Sequence, residues 1–241
     1  MGLTAGIIGL PNVGKSTLFN AITKANVISA NYPFATIEPN VGVVEVKDSR
    51  LDKIVSVVNP RSVVYTAFSF TDIAGLVKGA SHGDGLGNQF LSHIREVDAI
   101  CHVVRCFDDR NIIHVNGIVD PIDDIEVINL ELIYADLEVI EKRIPRVEKK
   151  ALLKTDKDAV DEYQLLVKLK DYLLNNIPCR EVSLTTAETS LIKGFNFLTY
   201  KPMIYVLNVS ENELKFDNQY VIKMKEYIKD DSDSPIITKM R

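Results

Sequence analysis

The stretch GLPNVGKST, Gly9 to Thr17, constrains this chain more than any other. An apolar run, Leu3–Ile8, leads into it, and an amphipathic run with Leu18, Phe19, Ala21 and Ile22 follows. The spacing G-x-x-x-x-G-K-[ST] between a strand and a helix describes a loop that cradles phosphate. Its glycines let the backbone curl so that successive N–H groups face phosphate oxygens, and the helix N-terminus adds positive potential. The nucleotide-binding set expected here is Asn12, Val13, Gly14, Lys15, Ser16 and Thr17. In it, Lys15 meets the β- and γ-phosphates and the Ser16 hydroxyl ligates Mg²⁺.

Further strand-like runs appear at Val41–Val46, Val63–Phe70, Ala99–Val104, Met203–Leu207 and, weakly, Ile236–Thr238. Helical or loop segments separate most of them, a rhythm that predicts an α/β fold with a mostly parallel sheet. The middle of the chain breaks the rhythm. From Ile125 to about Ile177 the residues Leu130, Ile133, Leu137, Ile140, Ile144, Val147 and Ala151 alternate spacings of three and four, which describes a long helix with one apolar seam. A second helix carries Ala159, Tyr163, Leu166, Leu173 and Ile177 after a polar turn near Lys154–Asp158. The pair predicts an antiparallel helical insertion at 123–199, with the sheet domain formed by 1–122 and 200–241.

A triphosphate site with magnesium needs further oxygen ligands and a γ-phosphate sensor. Thr36, in the Pro-punctuated segment NYPFATIEPNVG, and Asp72, at the end of the apolar run in FTDIAG, are the expected magnesium ligands beside Ser16, Asp72 through water. The Gly75 amide is placed to hold the γ-phosphate. These elements fall at or beside the carboxyl ends of strands, where ligands of open α/β sheets bind.

Composition narrows the partners. With 28 Lys+Arg against 33 Asp+Glu, the net charge of -5 supplies no general attraction to DNA or to anionic membranes. No apolar run reaches the ~20 residues of a membrane helix, and MGLTAGIIGL has neither signal-peptide nor myristoylation features. The three cysteines, Cys101, Cys106 and Cys179, form no CxxC pair and read as reduced, buried thiols of a cytoplasmic protein.

GLPNVGKSTLFNA, YPFATIEPNVG, DIAGLVKGAS and GDGLGNQFL resemble the Obg-related translation-factor class of P-loop proteins. With RCFDD, NIIHV, DPIDDIEVINLEL and NVSE added, the chain is similar to the YchF-type Obg-like ATPases. The resemblance covers nearly the whole chain. It implies a Ras-like G domain interrupted by an antiparallel helical domain, ATP as substrate and the ribosome or a ribosomal subunit as partner. Family members also carry a C-terminal TGS domain, which is expected to be absent here: the chain ends at ITKMR, which does not match the Ser-Ala-like last base-contacting motif.

Two catalytic roles follow from the resemblance. Leu76 stands after DIAG where a Ras-like enzyme has a water-orienting Gln, and an aliphatic side chain cannot hydrogen-bond water. The family points to His114 in NIIHV as the substitute, against the alternative of a histidine packed beside Ile113 and Val115. Asn12 resembles the position that holds K⁺ in potassium-stimulated relatives, or else is simply a turn residue.

The base is expected to be read in NVSENEL, against the alternative of a polar loop after a strand with no base contact. Guanine readers of this fold carry Asn-Lys-x-Asp, but here Val209 and Glu211 replace the Lys and Asp. Asn208 and the Val209 backbone are expected to meet adenine, with Phe107 as a family-suggested apolar wall, so ATP is expected over GTP. The alternatives are a GTP-preferring switch, or a nucleotide-gated binding module whose hydrolysis only resets binding.

Overall fold

A computed structural model of the chain describes residues 2–24, 40–73, 86–109, 111–115, 117–154, 156–230 and 235–240. Six strands, β1 (Leu3–Ile8), β2 (Asn40–Val46), β3 (Thr66–Asp72), β4 (Ala99–Arg105), β5 (Met203–Val209) and β6 (Ile236–Met240), form one sheet in the order β2-β3-β1-β4-β5-β6. Only β2 and β3 pair antiparallel; every other neighbouring pair is parallel. This is the Ras-like arrangement, with β1 central and its carboxyl end at the point where connections leave to opposite sides.

The parallel strands are apolar because both faces of the sheet are covered. Ala5, Ile7 and Ile8 of β1, Ile100, Val103 and Val104 of β4, and Tyr205, Val206 and Leu207 of β5 are all buried. The helices that cover them are α1 (Lys15–Lys24), α3 (Leu86–Glu96), the start of α4 (Pro121–Leu152) and α7 (Gln219–Tyr227), which contribute Leu18, Ile94, Ile125 and Met224 to the same core. A short helix, α2 (Ser49–Val58), buries none of its residues.

The strand expected at Val63–Phe70 is shifted: β3 runs from Thr66 to Asp72. Pairing begins where β2 supplies a partner, and the last residue of β2, Val46, lies opposite Thr66. Val63 and Val64 have no strand beside them and stay exposed, so their β propensity has nothing to pack on.

The long helix is present and starts earlier than the apolar seam. Asp120 caps α4 by accepting from Ile122 N and Asp123 N, Pro121 occupies the first turn, and Asp123 and Asp124 complement the helix dipole. The helix serves two cores. Ile125, Ile128, Leu132 and Ala135 pack in the sheet's core, while Ile133, Leu137, Ile140 and Val147 pack with Leu165, Leu166, Leu169 and Leu173 of α5 (Lys157–Leu174). The two helices are antiparallel: Arg143 pairs with Glu162, and Glu141 with Lys170. Each fully buried leucine of α5 stabilises this second core by about 1.5–3 kcal/mol. The segment returning to the sheet includes α6 (Thr186–Ile192), whose Ile192 closes the same core. Cys101, Cys106 and Cys179 are free and buried, and burial pushes their thiols up to about 11, 12 and 12.

Candidate functional site

The loop between β1 and α1 is built by three residues with positive φ: Gly9 at 147°, Asn12 at 62° and Gly14 at 101°. A Cβ on Gly9 would lie 2.4 Å from the Val103 carbonyl oxygen, and one on Gly14 would lie 2.4 Å from Asn208 Nδ2. Both glycines are therefore required twice, by conformation and by space. Asn12 adopts the left-handed turn conformation that asparagine tolerates, so its turn role is visible directly. Val13 is a buried core residue and offers the site only its backbone. Ser16 and Thr17 stand exposed in the first turn of α1.

Lys15 is 8% exposed, and its Nζ donates to the Leu10 carbonyl at 2.7 Å. Burial pushes its pKa down to about 8, and the nearby Asp72 carboxylate works against that shift. Such a buried ammonium, folded onto its own loop, has the charge and place to meet an anionic ligand. Asp72 is the last residue of β3, opposite Ile7, which sets its carboxylate beside the phosphate loop. Among the described residues no group of three or more His, Cys, Asp or Glu gathers to cage a metal. One hydroxyl and one carboxylate nonetheless fit Mg²⁺, which takes hard oxygen ligands, keeps several waters and shares the substrate's phosphates. Thr36, Gly75 and Leu76 lie outside the described residues.

The segment after β4 is organised by a residue the sequence did not single out. Arg105 is 2% exposed; its Nε donates to the Phe107 carbonyl at 3.1 Å, Nη1 to Ile112 at 3.0 Å and Nη2 to Asp109 at 3.2 Å. Its guanidinium also lies 4.7 Å over the Phe107 ring. A buried guanidinium demands such acceptors, and the loop folds around it. Phe107, expected as a wall against the base, is 2% exposed beneath this cation and presents little surface. From α7, Asn218 donates to the Cys106 carbonyl at 2.8 Å, and the Tyr220 hydroxyl reaches both Asp108 oxygens at 3.0–3.1 Å. The signal was an arginine closing a mostly apolar strand.

Further along, this loop touches the phosphate loop. Asn12 Nδ2 donates to the Ile113 carbonyl at 3.2 Å. The next side chain, His114, turns inward: it is 6% exposed, with Nε2 3.0 Å from Asp124 Oδ2 in the first turn of α4. The structure thus brings the histidine's backbone to the phosphate loop and holds the imidazole elsewhere. Burial raises the pKa of the Asp124 carboxyl while the His114 hydrogen bond opposes the shift.

On the base side, Asn208 is paired in register with Arg105, and its Nδ2 donates to the Val13 carbonyl at 2.9 Å. The side chain expected to span adenine is therefore committed, through one N–H, to bracing the phosphate loop. Val209 is a fully buried core residue paired with Met240 of β6. Beyond it, Ser210 and Glu213 form a capping box around a 3₁₀ turn, and the hydrogen bond from Ser210 holds the Glu213 carboxyl below its ordinary pKa. Glu211 sits exposed in that turn.

Residues 4–209 match the family described as 50S ribosome-binding GTPase. The chain is 63% identical over 229 residues to the ribosome-binding ATPase YchF of Bacillus subtilis and 54% identical over 226 residues to that of Escherichia coli O157:H7. These alignments take in 94% of this chain and 62% of each relative, so the chain spans about three fifths of their length. Among solved structures, the YchF GTPase of Schizosaccharomyces pombe superposes with a TM-score of 0.82 at 42% identity, over 99% of this chain and 65% of that one. A central β1 leading into a phosphate loop, Asp72 beside Lys15 and a helical hairpin grown from α4 agree with these matches. The chain belongs to the 50S ribosome-binding GTPase family of P-loop proteins and, within it, to the YchF type of Obg-like proteins.

Proposed function

We propose that this chain binds and hydrolyses ATP in preference to GTP, with Mg²⁺, stimulated by K⁺, as a cytoplasmic nucleotide switch that engages the ribosome. The observation that carries the base preference is the end of β5. A guanine reader aims a carboxylate at N1–H and the exocyclic amine, but here Val209 is buried in the core and Glu211 is exposed in the following turn. Guanine would lose its partners there, whereas adenine, with an acceptor at N1, forfeits nothing. The second N–H of Asn208 remains to meet the base. The names of the relatives divide between ATPase and GTPase, so the preference rests on this loop.

In the proposed reaction, Lys15 neutralises charge on the β- and γ-phosphates. Ser16, Thr36 and, through water, Asp72 would hold Mg²⁺, which would supply compensation for the phosphate charge. The Gly75 amide holds the γ-phosphate, and Asn12 offers its amide oxygen to K⁺. His114 orients the water, whose oxygen attacks the γ-phosphorus as the bond to the β–γ bridging oxygen breaks; ADP leaves with the electron pair and the water's proton ends on the released phosphate. The inward imidazole favours low intrinsic activity, so hydrolysis resets a switch rather than driving turnover. The net charge of -5 supports the absence of general DNA or membrane attraction, and no described helix is long and apolar enough to cross a membrane.

The test titrates ATP and GTP and follows hydrolysis of both in K⁺ and Na⁺ at equal ionic strength. Tighter ATP binding and faster hydrolysis in K⁺ are expected, and His114→Ala should lower kcat by roughly 10²-fold with affinity nearly unchanged. Equal or tighter GTP binding overturns the base assignment, equal rates in both salts overturn the K⁺ site, and an unimpaired His114→Ala removes the histidine.

A further inference from the structure

The segment Ile113-His114-Val115 is inside out. Ile113 is 79% exposed and Val115 50% exposed, while the imidazole between them is 6% exposed and bonded to Asp124. The imidazole and its two apolar neighbours already lie on opposite sides of the backbone, so turning this stretch over would expose the histidine and bring the apolar residues inward. There is room for the exchange. An open cavity of about 630 Å³ is lined by Ile113, His114 and Gly117 together with apolar residues such as Ile112 and Ile118 and the polar side chains of Arg105, Asp108, Asp109 and Tyr220. Gly117 has φ of 78° and nothing within 4 Å of where a Cβ would stand, so there is space beyond the histidine, and one backbone hydrogen bond, from Gly117 N to the His114 carbonyl at 3.1 Å, has to open for the stretch to turn.

The inward state is also incompletely satisfied. Asp124 is buried and uses Oδ2 on His114, while its Oδ1 has no hydrogen-bond partner among the described residues. A buried carboxylate with one idle oxygen holds its partner less firmly than a saturated one. By contrast, the first part of the loop is fixed by Arg105, Asn218 and Tyr220. The bond from Asn12 to the Ile113 carbonyl keeps the pivot at the phosphate loop, one residue from the histidine.

We infer that Asp124 is a positioning residue, a latch that holds His114 off the phosphate loop until the 113–115 segment turns over. This rests on the reading of His114 as the residue that orients water. Asp124 lies on α4, the helix that continues into the helical hairpin, so a partner bearing on the hairpin acts on the latch through a rigid element.

The experiment measures single-turnover ATP hydrolysis by the full chain and by Asp124→Ala, His114→Ala and the double variant. Asp124→Ala should hydrolyse about three- to tenfold faster with nucleotide affinity unchanged, and the gain should vanish in the double variant. A folded Asp124→Ala with an unchanged or lower rate overturns the latch while leaving His114 catalysis standing if His114→Ala is slow. A wild-type rate in His114→Ala overturns the underlying reading instead. A second readout is independent of rate: the imidazole NMR signals of His114, assigned by their loss in His114→Ala. They should move toward those of a solvent-exposed ring when a non-hydrolysable adenosine triphosphate analogue binds the wild-type chain, and should already lie there in Asp124→Ala. Signals that stay put on analogue binding overturn the latch, even where Asp124→Ala does not fold.

Discussion

Lys15 has a measurable signature at the scale of a single residue. Its ammonium is buried and its pKa is pushed down to about 8 in the free chain, while phosphate oxygens favour the charged form. Below pH 8 the charge is already present. Above it, binding must bring a proton with it, so affinity for ATP should fall as pH rises from about 8 toward 10, by up to about tenfold per unit. Calorimetric titration in buffers of different ionisation enthalpy would show proton uptake at pH 9 and little at pH 7; affinity flat across that range contradicts the assignment. Lys15 and Asp72 were legible in the sequence because motif and strand end named them. Arg105 and Asp124 were not, because what they do depends on loop carbonyls and an imidazole that only folding brings within reach.

At the scale of elements, the junction between hairpin and sheet turns on Asp136. It is fully buried on α4 and accepts from Leu198 N at 2.9 Å, Thr199 N at 2.8 Å and Thr199 Oγ1 at 2.8 Å, with Arg95 of α3 at 3.8 Å. One carboxylate thus receives the chain as it returns to β5. Burial raises its pKa to about 6 despite these hydrogen bonds. A pKa raised on folding means that the native state holds the proton more tightly, so this group's contribution falls as pH rises through about 6 and is recovered as pH falls toward 4. Asp136→Ala should cost about 2–4 kcal/mol at pH 7, because the Leu198 and Thr199 amides lose their buried acceptor. The loss should be larger at pH 5, where the wild type regains stability. Urea midpoints of both proteins at the two pH values check the prediction, and equal losses would show that Asp136 does not titrate on folding.

Across the whole molecule, α4 is one continuous helix of 32 residues, about 48 Å long, with Asp124 in its first turn against His114, Pro145 inside it and its other end at the hairpin turn. A helix packed into both cores transmits displacement rather than absorbing it. If ribosomes, the proposed partner, bear on the hairpin, they should raise single-turnover ATP hydrolysis. Shortening α4 and α5 by matched whole turns at the hairpin tip should abolish that response while leaving the rate without ribosomes unchanged. A shortened chain that still responds would place the ribosome contact on another surface.

The phosphate loop, the parallel sheet and the helical hairpin could be read from the amino-acid order because each is encoded locally, in a motif between strand and helix or in a period of apolar residues. The limits of that reading are as physical as its reach. The start of β3 at Thr66 depended on where β2 stops, and the double service of α4 depended on which side of a continuous apolar seam each core reached. Asn208 could be identified as a residue at the nucleotide edge, but its bond to the Val13 carbonyl joins positions 195 apart in the chain. Nothing in NIIHV shows whether its histidine faces phosphate or protein. That choice belongs in part to Asp124, ten residues onward, and to the balance between its buried hydrogen bond to the imidazole and two apolar side chains left in water.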